Sequence, residues 1–518
     1  MKAIRATLIG AVCAGFVGLA VAPRPIVAAG GTLCESMSAL SLPNTTITSA
    51  QTVAAGGFAP PAAPGRAGGP DRGGQAFANL PSFCRVSATL KPSSDSDIKI
   101  EVWLPVTGWN SKFEAVGNGG FAGSISYAAM AEALRRGYAT SSTDTGHSGG
   151  GASFAMGHPE KLIDFGYRSV HEMTVTAKTL VGAFYGNGPQ HSYFNGCSTG
   201  GRQALQEAQR FPADFNGIIA GAAGHVQPRL LSGVVWVAQA ALKDPQSSIP
   251  SAKYPAIHKA VLDACDAIDG LKDGLLDDPT RCHFDPKVLQ CKGADRPECL
   301  TPAQVETAKK IMAPDPRTGS EVFLGLERGS ELGWGGLTGG PDPNGDGVGQ
   351  FKYIVFEDPN WDWRSFNAKT DVARAENAYG GIINASDPNL RPFAFHGGKL
   401  LTYQGWADTT IPSRVSTAYY ESVQETMGGV SKTQDWYRLF MVPGMGHCRG
   451  GEGPNTFDML TALEQWVEKG KAPEQIVASH STAGKVDRTR PLCPYPQVAR
   501  YKGAGSIDEV ENFSCRMP

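Results

Sequence analysis

Ser192-Tyr193-Phe194-Asn195-Gly196-Cys197-Ser198-Thr199-Gly200 reads as a short strand, Ser192 to Asn195, running into a turn of small residues, with Gln203 to Phe211 following at helical spacing. Strand, sharp turn and helix is the setting in which G-x-S-x-G acts as a nucleophile elbow. There the chain turns so tightly that the serine hydroxyl projects from a strained position. In a chain with 64 glycines the pentapeptide also arises by composition, and its other reading is a glycine-rich turn with an inert serine.

The flanking segments decide between these readings. Before the elbow, Ile98 to Leu104 alternates and is rich in β-branched residues, Phe113 to Val116 and Tyr138 to Thr143 are short apolar runs, and Ser169 to Phe184 is amphipathic at helical spacing. After it come a buried strand at Gly217 to Ala220, a strand at Lys399 to Tyr403, a helix at Ser413 to Val423, a strand at Trp436 to Val442 and a helix at Phe457 to Val467. From about His225 to Asn389 the pattern changes to helical fragments, clustered cysteines, acidic loops and Gly/Pro-rich linkers. Alternating βα units on both sides of such an insertion predict an α/β fold: a mostly parallel sheet covered by helices, with a lid over the carboxyl ends of its strands. The expected organisation is a discontinuous catalytic domain, 30–224 and 390–518, and a lid domain, 225–389. No internal repeat, heptad run or basic arm is present.

The elbow needs a base and an acid. Asp408, in Tyr403-Gln404-Gly405-Trp406-Ala407-Asp408, lies just past a predicted strand, where a loop can aim a carboxylate at an imidazole. His447, in Pro443-Gly444-Met445-Gly446-His447-Cys448, lies on a glycine-rich loop after the next strand, suited to take the Ser198 proton and hand it to a leaving group. The chain order Ser, Asp, His fits. His147, in Thr143-Asp144-Thr145-Gly146-His147, also follows a strand but precedes Ser198, so Asp144 and His147 are expected to be structural or to line the site. For an oxyanion hole, Thr199 supplies one backbone donor, and Gly119 or Gly120 of Gly117-Asn118-Gly119-Gly120 the other; the alternative for that loop is a simple turn.

Composition sets the compartment and excludes some classes. The chain has 518 residues, 41% hydrophobic and 19% charged, and a net charge of −2 gives no electrostatic footprint for nucleic acid or an anionic membrane. Lys2 and Arg5 ahead of the apolar run Ala6 to Ala22, with small residues at Val27-Ala28-Ala29, read as a secretory signal peptide over residues 1–29. The competing reading, a retained anchor, is opposed by Pro23, Arg24 and Pro25, which cut the run short. Export points to a secreted or periplasmic protein with no membrane association after cleavage.

With Cys13 in the leader, ten of the eleven cysteines remain, an even set suited to an oxidising compartment. Sequence alone leaves their connectivity open. Pairing neighbours as Cys34/Cys84, Cys265/Cys282, Cys291/Cys299 and Cys493/Cys515 leaves Cys197 and Cys448 for each other. A bridge between those two would hold their Cα atoms about 4.4–6.8 Å apart and so make Ser198 and His447 neighbours.

Gly196-Cys197-Ser198-Thr199-Gly200-Gly201-Arg202, Tyr403-Gln404-Gly405-Trp406-Ala407-Asp408, Gly444-Met445-Gly446-His447-Cys448 and the Gly-Asn-Gly-Gly-Phe-Ala-Gly loop at 117–123 resemble the tannase and feruloyl esterase family, which includes the mono(2-hydroxyethyl) terephthalate hydrolases. The resemblance runs over nearly the whole mature chain. It implies an α/β-hydrolase core, a lid that shapes the acyl pocket, and secreted hydrolysis of small esters of aromatic acids. Feruloyl or related hydroxycinnamoyl esters come first, galloyl and terephthaloyl esters next. Two other classes remain open: a binding protein on an inactive hydrolase scaffold, and a peptidase on the same scaffold.

In the lid, Cys265-Asp266-Ala267-Ile268-Asp269-Gly270-Leu271-Lys272-Asp273-Gly274-Leu275 packs three carboxylates at i, i+3 and i+7 among glycines, a density that suits a hard cation. The resemblance implies structural Ca²⁺ held by the side chains of Asp266, Asp269 and Asp273 and the carbonyls of Leu271 and Leu275; a solvated acidic turn is the alternative. No organic cofactor is expected. Asp342-Pro343-Asn344-Gly345-Asp346-Gly347 opens like an EF-hand loop, but Tyr353 stands where a bidentate Glu is needed, so it reads as a turn. Residues Arg328 to Trp334 are candidates to touch substrate, with the core the expected place for Trp334.

Overall fold

A computed structural model describes residues 33–61, 77–312, 323–338 and 343–518. The signal-peptide reading, most of the stretch Gly56 to Gly74, and Asp342 lie outside the described residues.

Nine strands form one sheet: β1 (Thr45–Val53), β2 (Phe83–Leu90), β3 (Ile98–Pro105), β4 (Lys112–Val116), β5 (Ala139–Thr143), β6 (His191–Cys197), β7 (Gly217–Gly221), β8 (Lys399–Gly405) and β9 (Tyr437–Val442). Their order is β1-β2-β3-β5-β4-β6-β7-β8-β9. The pairs β1/β2, β2/β3 and β3/β5 are antiparallel, and every pair from β5/β4 to β8/β9 is parallel. The right-handed crossovers that parallel strands require put helices on both faces. Successive residues of the central strands therefore feed opposite cores. Phe194, Ile218, Leu400 and Leu439 pack with Met173, Leu180, Leu205 and Val423 on one face, and Tyr193, Ile219, Leu401 and Phe440 pack with Leu463 and Trp466 on the other. This is an α/β-hydrolase fold.

The flanking helices are α1 (Tyr127–Arg135), α2 (Ser169–Tyr185), α3 (Thr199–Arg210), and, beyond the lid, α6 (Arg414–Met427) and α7 (Met459–Lys469), with α4 (Gln227–Leu242) and α5 (Tyr254–Cys265) inside it. Helix α2 stops at Gly186, whose φ of 82° suits the left-handed cap. Among the described residues, the segment between β7 and β8 contributes no strand to the sheet. It builds its own apolar core around Val235, Val261, Trp334, Phe351 and Tyr379, into which Phe121 and Phe165, from before β6, insert. The acidic stretch read as a turn differs in part: Asn344 accepts from Asp346 N and caps a short helix, Gly345–Gln350.

A short strand just before α7, β10 (Thr456–Phe457), pairs antiparallel with β11 (Ile476–Thr482), which follows α7 and pairs antiparallel with β12 (Lys485–Leu492); the hairpin β13 (Val498–Tyr501) and β14 (Phe513–Arg516) comes next. The five cysteine pairs form as the pairing of neighbours requires: Cys34–Cys84, Cys197–Cys448, Cys265–Cys282, Cys291–Cys299 and Cys493–Cys515. No helix among the described residues is long and apolar enough to cross a membrane.

Candidate active site

Ser198 stands between the end of β6 and the start of α3 with φ 66°, ψ −120°, a left-handed conformation costly for a residue with a Cβ. Two constraints hold it there. Ser198 N donates to Gly221 O (2.9 Å), and the turn is so tight that a Cβ on Gly196 would sit 2.5 Å from Gly200 O, which is why glycine is required. Cys197–Cys448 spans 6.0 Å between Cα atoms, placing Ser198 and His447 each one residue from the same bridge. Cys448 is itself left-handed (φ 64°).

His447 Nδ1 donates to Asp408 Oδ2 at 2.9 Å. The carboxylate of Asp408 is fully buried while the imidazole keeps a quarter of its surface open. Asp408 Oδ1 accepts from Thr410 N (2.8 Å) and Ile411 N (3.0 Å), and its Oδ2 also accepts from Gln404 Nε2 (2.8 Å). Gln404, buried at the end of β8, is oriented in turn by Ser416 Oγ (2.9 Å). A carboxylate with this many donors is fixed in the orientation that keeps the His447 proton on Nδ1 and leaves Nε2 as the basic nitrogen. The loop carrying His447 lies directly on β8: Ala407 N donates to Met445 O (3.0 Å), and a Cβ on Gly405 would meet that carbonyl at 2.2 Å.

As the first residue of α3, Thr199 has an N–H with no acceptor inside the helix. The glycine loop is clamped beside it. Asn118 and Gln203 exchange hydrogen bonds through Asn118 N to Gln203 Oε1 and Gln203 Nε2 to Asn118 Oδ1, both 3.0 Å, Gly200 N donates to Asn118 O (2.7 Å), and Thr199 Oγ1 donates to Gly120 O (2.8 Å). Of the two candidate glycines, Gly120 lines the cavity that holds Ser198 and Thr199, and Gly119 does not. Arg202 is fully buried and donates to Gly166 O and Phe165 O; burial with few compensating charges lowers its pKa to about 9.

His147 and Asp144 do not pair. His147 is buried, stacks on Phe154 (3.7 Å between centroids) and donates from Nε2 to Phe121 O, with its pKa lowered by burial. Asp144 accepts from Lys99 N and Gly146 N, and burial raises it to about 7. His147 thereby supports Phe121, which lines the Ser198 cavity, and Asp144 fixes the turn that carries His147.

Two cavities adjoin at Thr409, one holding Ser198 and the other His447. One, about 210 Å³, is lined by Ser198, Thr199 and Gly120 together with α4 and Asp346; the other, about 330 Å³, by His447, Trp406, Arg328, Ser330 and Leu332. Trp334 faces neither: it is fully buried, its indole donating to Ser330 Oγ (3.2 Å). Gln404, Gln203 and Asp346 are site residues that sequence reasoning did not assign, although Gln404 sits inside the hexapeptide that announces Asp408.

In the acidic loop, Asp266 accepts from Asp273 N and Gly274 N (3.1–3.3 Å), Asp269 from Leu271 N (2.9 Å), and Asp273 from Leu275 N (3.2 Å) while pairing with buried Arg490 (2.7 Å). The loop is closed by Cys265–Cys282. The candidate ligands, three carboxylates and the carbonyls of Leu271 and Leu275, are all oxygens, the chemistry of a hard cation, with Asp273 already paired to Arg490.

The sequence matches the family described as tannase and feruloyl esterase over residues 84–516. An uncharacterised esterase of Xanthomonas campestris pv. campestris is 40% identical, with 96% of this chain and 95% of that protein covered. A probable feruloyl esterase B-2 of Aspergillus terreus is 35% identical, with 83% and 86% covered. The crystal structure of feruloyl esterase B from Aspergillus oryzae superposes with a TM-score of 0.86 at 31% identity over 93% of this chain and 99% of that one.

Proposed function

The chain belongs to the tannase and feruloyl esterase family and is a carboxylic ester hydrolase, and from that premise we propose that it is an exported serine esterase acting on esters of aromatic acids, with feruloyl and related hydroxycinnamoyl esters as its first substrates. The observation that carries the reading is the His447–Asp408 hydrogen bond of 2.9 Å beside a disulfide that ties His447 to Ser198. In this mechanism Ser198 Oγ attacks the ester carbonyl as His447 Nε2 takes its proton. The tetrahedral oxyanion accepts from the N–H groups of Thr199 and Gly120, and His447 returns the proton to the departing alcohol. Water, activated by the same nitrogen, then frees the acid and restores Ser198. Asp408 holds the imidazole in place and stabilises the imidazolium.

The preference for feruloyl over galloyl or terephthaloyl esters is supported by two of the relatives above 30% identity, one named a probable feruloyl esterase B-2 and the other feruloyl esterase B, while the relative at 40% is named only an esterase. Export is supported by five disulfides. For the lid loop the proposal is structural Ca²⁺, held by Asp266, Asp269 and Asp273 with the carbonyls of Leu271 and Leu275. When bound, the ion neutralises charge and cross-links the loop, and it takes no part in the chemical steps.

Purified protein assayed on methyl ferulate, a gallate ester and a terephthalate monoester tests the reading. Turnover should be highest on the ferulate and lost in Ser198→Ala, and a fluorophosphonate should label Ser198. Absence of both turnover and labelling would favour the inactive-scaffold binder.

A further inference from the structure

The cavities at Ser198 and at His447 share one lining residue, Thr409, which directly follows Asp408, so they adjoin beside the candidate triad. In the esterase reading, on which this inference rests, the leaving oxygen must lie against His447 while the carbonyl carbon lies at Ser198 with its oxygen toward Thr199 and Gly120. The alcohol therefore extends into the His447 cavity, and the acyl substituent extends into the Ser198 cavity.

The acyl side is walled by Leu230, Leu231, Val234, Leu337 and Ile411. Its one ionisable lining residue is Asp346; no Lys, Arg or His lines it among the described residues. The cationic side chains stand in the other cavity, where Arg328 and His258 accompany His447. Asp346 is half-buried, with Oδ2 3.3 Å from where a Cβ on Gly120 would stand, so it overlooks the oxyanion loop. No described residue donates a hydrogen bond to its carboxylate, and burial raises its pKa above the usual carboxylate value.

We propose that Asp346 determines acyl specificity by charge, admitting uncharged acyl groups and rejecting those that carry a second, free carboxylate. Two like charges in a partly dehydrated cavity repel across many ångströms, and the chamber has no cation to compensate. The effect of Asp346 on the oxyanion itself is common to all substrates and cancels when two acyl groups are compared.

The matched pair is dimethyl terephthalate and monomethyl terephthalate, which share the ring and the scissile methyl ester and differ in one negative charge. For the wild-type enzyme kcat/KM should favour the neutral diester by at least ~10-fold, beyond the statistical factor of about two for its second ester. Asp346→Asn and Asp346→Ala should each reduce that preference by ~10-fold. Equal turnover of both esters by wild type overturns the proposal, as does a preference that persists in both substituted proteins. Failure on both members of the pair and on methyl ferulate, with no fluorophosphonate labelling, overturns the esterase reading beneath it. That outcome is distinguishable because the neutral ester is silent too.

Discussion

Replacing Cys197 and Cys448 together by alanine separates two roles that one bond performs. The bridge spans 251 residues, for which the chain-entropy relation gives about 5 kcal/mol of stabilisation. A chain of this length has an unfolding entropy near 1.1 kcal/mol/K, so the melting point should fall by roughly 5 °C. The bond Cys34–Cys84, which spans 50 residues and joins the segment before β1 to β2, gives about 4 kcal/mol by the same relation. The two double mutants should therefore melt within about 2 °C of each other. Their activities should not match. Removing Cys34–Cys84 leaves the site geometry alone, whereas Cys448 is held at φ 64° directly after His447, and Cys197 directly before Ser198. Without the bond that strained loop relaxes, and a displacement of about 1 Å between nucleophile and base costs ~100-fold in kcat. The assay is kcat on methyl ferulate at 25 °C, well below either melting point, with differential scanning fluorimetry on the same preparations. If Cys197→Ala/Cys448→Ala keeps kcat within two-fold of wild type while its melting point drops as expected, the bridge is a stability element only and the argument from covalent proximity fails.

Gln404→Leu removes the side-chain amide that donates to Asp408 Oδ2 at 2.8 Å; kcat should fall ~10-fold with KM within about two-fold, and Gln404→Glu should be no better, since it sets a second acid against the first. Extensive dialysis against EGTA should lower the melting point by several degrees and added Ca²⁺ should restore it; an unchanged melting point together with no calcium by elemental analysis would reject the ion in the lid loop. His258 joins the lid to the loop that carries His447, its Nδ1 2.8 Å from Glu331 Oε2 and its Nε2 2.8 Å from Glu452 Oε2. Burial disfavours the imidazolium, but hydrogen bonds to the two carboxylates outweigh it and raise the pKa from 6.5 to about 9. A raised value means the stabilisation is complete below pH 6.5 and is lost as pH climbs through about 9. Its size is up to about 3 kcal/mol, discounted because Glu452 is more than half exposed. Melting curves from pH 6 to 10 should show wild type and His258→Gln converging above pH 9, and a constant gap between them would contradict this account.

The triad candidates were legible because each sits in a short motif at the carboxyl end of a strand with a strong apolar signal: β6, β8 and β9 are core strands, and the expected ranges fall within a residue or two of the observed ones. Strand β1 gave no such signal. Its sequence, Thr45–Val53, is mostly polar and packs at the sheet edge with no fully buried residue, so hydrophobic alternation is too weak to mark it. Strands β11 to β14 are likewise polar hairpins, held by Cys493–Cys515 and by arginines reaching back to the acidic loop. Within the lid, short 3₁₀ and π turns are interspersed among helices such as α4 and α5, and the core they share joins residues more than a hundred positions apart, such as Val235 and Phe351, which leaves no local period. Asp346 shows the limit clearly. The stretch read as a turn opens a short helix capped by Asn344, and nothing local says that this helix would bring the Asp346 carboxylate into the cavity that Ser198 lines.

The same long-range contacts explain why lid and catalytic machinery cannot be treated as separable parts. Thr409, directly after the acid, donates to Gly333 O of the lid at 3.3 Å; Arg414, at the start of α6, pairs with the fully buried carboxylate of Glu327; and His258 bridges Glu331 to Glu452, five residues past His447. Each tie lands within six residues of Asp408 or His447. The Arg414–Glu327 pair, with its carboxylate buried and its guanidinium partly exposed, adds little net stability over apolar packing, yet removing the arginine is costly because it strands the buried carboxylate. Its effect is therefore positional: it fixes the lid against the acid loop in one register. Substitutions in the lid that leave the cavity walls untouched should then appear in kcat, through Asp408 and His447, as readily as in KM. Exchanging the lid for that of a relative with a different acyl preference would have to carry Glu327, Glu331 and Gly333 along with the lining residues.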